Sequence, residues 1–276
     1  MICASEQAVL VDKEIYQEAK DSQITRQNGT FVISDEVYGL KLDTQQTVKL
    51  ITNEVSQGKN EEIILPITET APEITKEDNS KITSQLGGFS TKYSGSDSEG
   101  RNINLRVACE KINGTILKPG EIFSMNEGLG DQTYENGFRE GGVIVNGKIE
   151  SGIGGGVCQV TTTLYNAVIF SELEVVERKN HSLAVGYVPL GRDAAIAGTW
   201  KDFKFKNSTD YPIYIEAYAA NGKVVTNIYG YETRPESRTI DFEKVYIATI
   251  EKPAEKITED PTKPEGYREV TFTGKT

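Results

Sequence analysis

Apolar positions recur along the chain with two periods, and the switches between them mark its elements. Gly29-Thr30-Phe31-Val32-Ile33 reads as a strand after a turn. Val48, Leu50, Ile51 and Val55 fall at helical spacing, which predicts a helix capped by Thr44 and ended by Gly58. Ile63-Ile64-Leu65-Pro66-Ile67 reads as a strand, and Pro66 points to a sheet edge because proline cannot donate to a ladder. Residues 71–80 are polar without an apolar period and read as a linker.

A second stretch opens with a strand at 88–93. In a helix over 102–112, Leu105, Ala108, Cys109 and Ile112 share one face, so Cys109 reads as a small core residue. Lys118-Pro119-Gly120 is a turn, and a short strand follows at 142–148 in glycine-rich sequence. A helix is predicted over 160–170, then a strand at 181–188. Asp202-Phe203-Lys204-Phe205-Lys206 alternates as a half-buried strand does. The runs 211–218 and 223–229 flank Asn221-Gly222, the strongest short hairpin signal. From about 233 the chain turns polar, with Pro235, Pro253, Pro261 and Pro264 among many charges, and a further strand is expected at 244–248. These patterns predict an α+β protein in three parts. A small N-terminal α+β module spans 1–80, a mixed domain with a mainly antiparallel sheet spans 81–232, and 233–276 is a polar tail or linker toward a further module.

Composition narrows the function. The net charge of −11 disfavours nucleic acid, whose phosphates must be met by clustered Lys and Arg. It also repels anionic wall polymers, so a wall ligand would be held by hydrogen bonds and shape. No run approaches the roughly 18 apolar residues of a membrane span. The start lacks a basic region and an apolar stretch, and reads as an expression boundary with any native signal or anchor removed. The three cysteines, Cys3, Cys109 and Cys158, form no CxxC pair. With a single histidine in the chain, a His/Cys zinc site is disfavoured, and no cofactor is implied. Cys3 falls in an unstructured-looking tip, which leaves Cys158 as the thiol in an unusual setting.

Gly154-Gly155-Gly156-Val157-Cys158-Gln159 precedes the helix over 160–170, so Cys158 falls at a helix start behind a glycine loop. Unpaired N–H groups and the helix dipole favour a thiolate there and can stabilise an oxyanion. Glycines let backbone approach a substrate. The loop lacks the Lys-Ser/Thr of a phosphate loop. His181 follows at the start of a predicted strand, and Asp193 lies beyond the turn Pro189-Leu190-Gly191-Arg192. Nucleophile, base and orienting carboxylate in this order fit a thiol hydrolase or acyl transferase. That reading assigns Cys158 as nucleophile, His181 as base, Asp193 as orienter and Gln159 as a possible oxyanion donor. It expects the Cys158 sulfur within hydrogen-bonding reach of the imidazole, and a depressed thiol pKa. Gly154, Gly155, Gly156, Thr161, Tyr165 and Tyr187 are the candidate substrate contacts. Two alternatives stay open: a non-catalytic groove for wall glycan or peptide, and an exported scaffold in which Cys158 and His181 only stabilise the fold.

The stretch Gly154-Gly155-Gly156-Val157-Cys158-Gln159-Val160-Thr161-Thr162-Thr163-Leu164-Tyr165-Asn166-Ala167 resembles the signature of the VanW-like family. So do Pro119-Gly120-Glu121-Ile122-Phe123-Ser124, Glu177-Arg178-Lys179-Asn180-His181-Ser182, Gly191-Arg192-Asp193-Ala194 and Phe205-Lys206-Asn207. The resemblance covers about 85–232. It implies an exported, wall-associated protein of a Gram-positive bacterium; the family takes its name from a protein encoded in some vancomycin-resistance clusters. Residues from about 25 to 75 resemble a small module described as peptidoglycan-binding, which implies a peptidoglycan or other cell-wall partner. The order Cys, His, Asp also resembles the papain-like and transglutaminase-like layout, although Gln159 stands where those enzymes often carry tryptophan.

Overall fold

The computed structural model describes residues 4–58, 62–94, 97–145, 148–243, 245, 247–248 and 256–270. Cys3 lies outside the described residues, as do Lys244 and Tyr246 of the strand expected at 244–248. Residues 1–234 form one compact unit and 235–276 a second, whose described residues carry neither helix nor strand. No described helix is long and apolar enough to cross a membrane.

The first unit begins with α1 (Ala4–Ile15), the hairpin β1 (Ile24–Gln27) and β2 (Thr30–Ile33), β3 (Gly39–Leu42), α2 (Thr44–Ser56), β4 (Ile67–Thr70) and α3 (Lys76–Ser80). It continues with β5 (Ser84–Lys92), α4 (Glu99–Ile112), β6 (Ile116–Leu117), β7 (Ile122–Ser124) and α5 (Met125–Leu129). Then come β8 (Glu140–Val145), β9 (Lys148–Ile153), α6 (Val157–Phe170), β10 (Glu174–Glu177), β11 (Lys204–Lys206), β12 (Ile213–Ala220) and β13 (Lys223–Gly230). Every strand pair is antiparallel, so the fold is α+β.

Local chemistry places several ends differently from the pattern. The cap of α2 is Asp43, whose carboxylate accepts from the Gln46 amide; Thr44 is already helical. The strand expected at 63–67 starts only at Ile67. Pro66 has no N–H to give, and its carbonyl instead accepts from the Asp43 amide. Half of the expected linker is the helix α3, opened by a Thr75–Asp78 capping box. Asn79 is buried there and donates to the Ser22 carbonyl and hydroxyl.

The main sheet runs β5-β13-β12-β6. Asn221 and Gly222, at φ 51° and 72°, make the tight turn that joins β12 to β13. Alternation along β12 splits its residues between two faces. Ile213, Ile215 and Ala217 enter the large core with Leu105 and Ile112 of α4 and Val160, Leu164 and Val168 of α6. Tyr214 joins Tyr229, Ile24 and Ile82 in a second cluster on the other face. Phe31 stands edge-on to Tyr214 and Tyr229 at 5.4 and 5.2 Å, and each such pair contributes about 0.5–1.5 kcal/mol beyond its buried area. Arg26 lies 4.4 Å over the Tyr229 ring and pairs with Glu216 at 2.8 Å. The β1–β2 hairpin thus packs directly on the main sheet. A smaller sheet, β10-β11-β7, carries Phe205 and Phe123 into the large core.

Candidate functional site around Cys158 and His181

The glycine run fixes where α6 begins. Gly156 caps it at φ +113°, a conformation that side chains disfavour. Gly155 lies against Gly141 of β8; a Cβ there would sit 2.3 Å from the Gly141 carbonyl carbon. The run therefore lets the β8–β9 hairpin close onto the helix start. Cys158 becomes the second residue of α6, and its amide N–H has no acceptor among the described residues.

Cys158 is half-buried and lines a cavity of about 650 Å³. His181, Tyr187, Ile196, Trp200 and Lys201 line the same cavity, as do Gly154, Gly156 and Gln159. His181 Nδ1 lies 2.6 Å from Asp193 Oδ2, and the His181 amide donates to that same oxygen at 2.7 Å. With Nδ1 committed to the carboxylate, Nε2 is the ring nitrogen left for the cavity. The Cys158 thiol donates to the Ile196 carbonyl at 3.5 Å, and no direct Cys158–His181 hydrogen bond is present. The expected thiol–imidazole contact is therefore not made in this state, because a backbone carbonyl takes the S–H.

Electrostatics also departs from the expectation. Burial pushes the Cys158 thiol up, and the Lys201 and Arg101 cations only partly oppose it. The shift runs opposite to the depressed thiol expected at a helix start. Burial acts to raise the Asp193 carboxyl as well, but the His181 amide, the His181 ring and the Arg178 guanidinium outweigh it. They hold Asp193 below its ordinary value. Burial raises the Tyr187 phenol, whose hydroxyl meets Thr162.

The strand expected at 181–188 does not form, and the segment around Asp193 is irregular as well. The backbone at Arg192 and Ala194 is held by side chains of α6 in place of a ladder. Thr162 Oγ1 donates to the Ala194 carbonyl and accepts from the Ala194 amide, at 2.9 and 3.0 Å. Asn166 donates to the Arg192 carbonyl and accepts from the Arg192 guanidinium, at 2.9 and 2.8 Å. One helix thus fixes the thiol at its start and the Asp193 segment one to two turns along.

Other candidates occupy supporting places. Gln159 is buried, and its amide nitrogen donates to Thr91 Oγ1 and the Lys92 carbonyl, at 3.0 and 2.9 Å. Both donors are spent, so its geometry does not offer an oxyanion contact. Thr161 is buried and donates to the Val157 carbonyl within its helix. Tyr165 does not line the cavity; it stands edge-on to Phe203 with Arg178 5.4 Å over its ring. Gly155 likewise packs on β8 and does not line the cavity. Arg178, Arg101, Trp200 and Lys201 were not singled out by sequence reasoning. Trp200 and Lys201 follow a loop without periodicity, and Arg178 is visible only as a neighbour of His181. Among the described residues no three His, Cys, Asp or Glu side chains converge as a metal set.

A family model described as VanW like protein matches residues 100–229, and one described as "Putative peptidoglycan binding domain" matches 9–63. The uncharacterized protein YoaR of Bacillus subtilis (strain 168) is 31% identical over 220 residues, covering 79% of this chain and 71% of that protein. The Vancomycin B-type resistance protein VanW of Enterococcus faecalis (strain ATCC 700802 / V583) is 27% identical over 165 residues, 58% of each chain. No solved structure matches this chain.

Proposed function

The chain belongs to the VanW-like family, and on that premise we propose that it is an extracellular, cell-wall-associated protein and a cysteine-dependent hydrolase or acyl transferase. Its substrate would be an amide bond of peptidoglycan peptides or of a surface protein. The two family matches fall on either side of residue 80. This supports a division of labour in which 1–80 binds the wall and 81–232 carries the reactive cavity. The observation that carries the reading is the His181–Asp193 pair at 2.6 Å, opening onto the cavity that Cys158 also lines.

In the proposed reaction Cys158 Sγ attacks the substrate carbonyl carbon while its proton passes to His181 Nε2. The amide N–H of Cys158 meets the developing oxyanion. The imidazolium then gives its proton to the leaving amine, and a thioester remains. Water or a second amine attacks that thioester, with His181 again taking the proton. The thiol must first leave the Ile196 carbonyl, as apo contacts commonly tighten only with substrate bound.

Alkylation of Cys158, followed by mass spectrometry, tests this. His181→Ala should slow labelling of Cys158 by more than tenfold between pH 6 and 8, and Lys223→Ala should not. An unchanged rate in His181→Ala would sink the enzyme reading. A second reading, a non-catalytic wall-binding groove, is favoured by the raised thiol pKa and by the S–H bond to Ile196. It requires purified peptidoglycan to be held equally well by Cys158→Ala.

A further inference from the structure

We propose that Arg178 is the positioning residue of this site, orienting the Asp193 carboxylate so that Oδ2 meets His181 Nδ1 and His181 Nε2 is left to the cavity. This rests on the reading of Cys158 and His181 given above. Arg178 is absent from the cavity wall, so it acts through another residue and not on a ligand.

The geometry is a grip on one residue from two sides. Arg178 Nε donates to the Asp193 backbone carbonyl at 2.6 Å, and Nη2 donates to Asp193 Oδ1 at 3.0 Å. Nη2 also donates to the Gly191 carbonyl at 3.1 Å. Main chain and side chain of Asp193 are thus held by one planar fork, which fixes the carboxylate's rotation. With Oδ1 engaged, Oδ2 is the oxygen that receives both the amide and the ring nitrogen of His181. The fork is in turn seated on the Tyr165 ring, and Tyr165 stands against buried Phe203. This gives Tyr165 a role that its position off the cavity otherwise lacks. A lysine could supply the charge but not the fork, because an ammonium cannot hold the carboxylate and the adjacent carbonyls in one plane.

The chain contains one histidine, so its ¹⁵N imidazole signals are unambiguous. At a pH where the ring is neutral, the wild type should carry its proton on Nδ1. Arg178→Gln should shift the population toward Nε2–H and slow Cys158 alkylation by more than tenfold. Arg178→Lys should fall between the two. A purely structural Arg178 would lower the melting temperature and leave the tautomer alone; that result, in variants with native circular dichroism, overturns the proposal. If Arg178→Gln does not fold, Arg178→Lys decides, and a wild-type imidazole spectrum there is equally fatal. The tautomer measurement needs no reactivity. If His181→Ala leaves alkylation unchanged the enzyme reading fails, while the positioning of His181 by Arg178 still stands or falls on the spectrum.

Discussion

Helices α4 and α6 pack against each other and against the same main sheet, and each carries one cysteine, yet beside its apolar residues α6 buries a polar set that α4 nearly lacks. In α4 the buried face is Leu105, Ala108, Cys109 and Ile112, and most polar residues face outward. Its one buried amide, Asn104, reaches across to the Arg139 and Gly155 carbonyls beside the start of α6. In α6, Gln159, Thr161, Thr162, Thr163 and Asn166 are all buried, and each has a hydrogen-bond partner. Burying such groups unpaired would cost about 1–3 kcal/mol apiece. Pairing them offsets that cost and gains position, because Gln159 and Thr163 reach β5 on one side and Thr162 and Asn166 reach the Asp193 segment on the other. An apolar helix face contributes stability; a satisfied polar one sets where irregular chain must lie.

The sharpest way to break this comparison is to exchange the two thiols' fates. Cys158→Ala should abolish thiol-dependent acyl-enzyme formation with an activated amide or ester substrate, while Cys109→Ala should leave it at wild-type level; mass spectrometry of the intact protein reads both. Next in size is Asn166→Leu. It removes the Asn166 bonds to the Arg192 carbonyl and guanidinium, so urea unfolding should show a loss of about 1–3 kcal/mol, accompanied by slower Cys158 labelling. Leu105→Ile on α4 should cost less than about 1.5 kcal/mol and leave labelling unchanged.

A smaller effect should appear at alkaline pH. Burial pushes the Cys109 thiol up to about 12, whereas an unfolded thiol titrates near 8.5. The folded state keeps a proton that the unfolded state loses, so this contribution is complete below about pH 8.5 and fades as pH rises toward 12. Cys109→Ala should flatten that part of the stability profile, at a cost of about 1 kcal/mol at pH 7. The smallest expected effect is on the acid side. Asp193 is held below its ordinary value, so its contribution is present above an unfolded pKa of about 3.9 and is lost as pH falls through its folded value. Asp193→Asn should remove that acid limb in a pH series of thermal melts.

Much of α4, the start of α6 and the Asn221-Gly222 hairpin were legible because period and turn chemistry are local signals. The closeness of His181 and Asp193 was legible as an order of residues, but its geometry was not. Residues 181–188 alternate like a strand and form none; the His181 amide is taken by the Asp193 carboxylate instead of a ladder. The Thr162 and Asn166 contacts are 26 to 32 positions apart in sequence, beyond the reach of any periodicity. The packing of Phe31 and Arg26 on Tyr214, Glu216 and Tyr229 joins residues still farther apart. The thiol's direction of shift was misread because a helix start was weighed without its burial.

The chain's one tryptophan, Trp200, lies on the wall of the same cavity and is 70% exposed. Its emission therefore comes from a single place, and that place is the mouth of the site. A ligand seated against this wall should dry the indole, moving its emission maximum to shorter wavelength and shielding it from a soluble quencher such as acrylamide. The protein thus carries its own optical gauge of occupancy, usable for screening candidate wall fragments without a label or an assay for turnover.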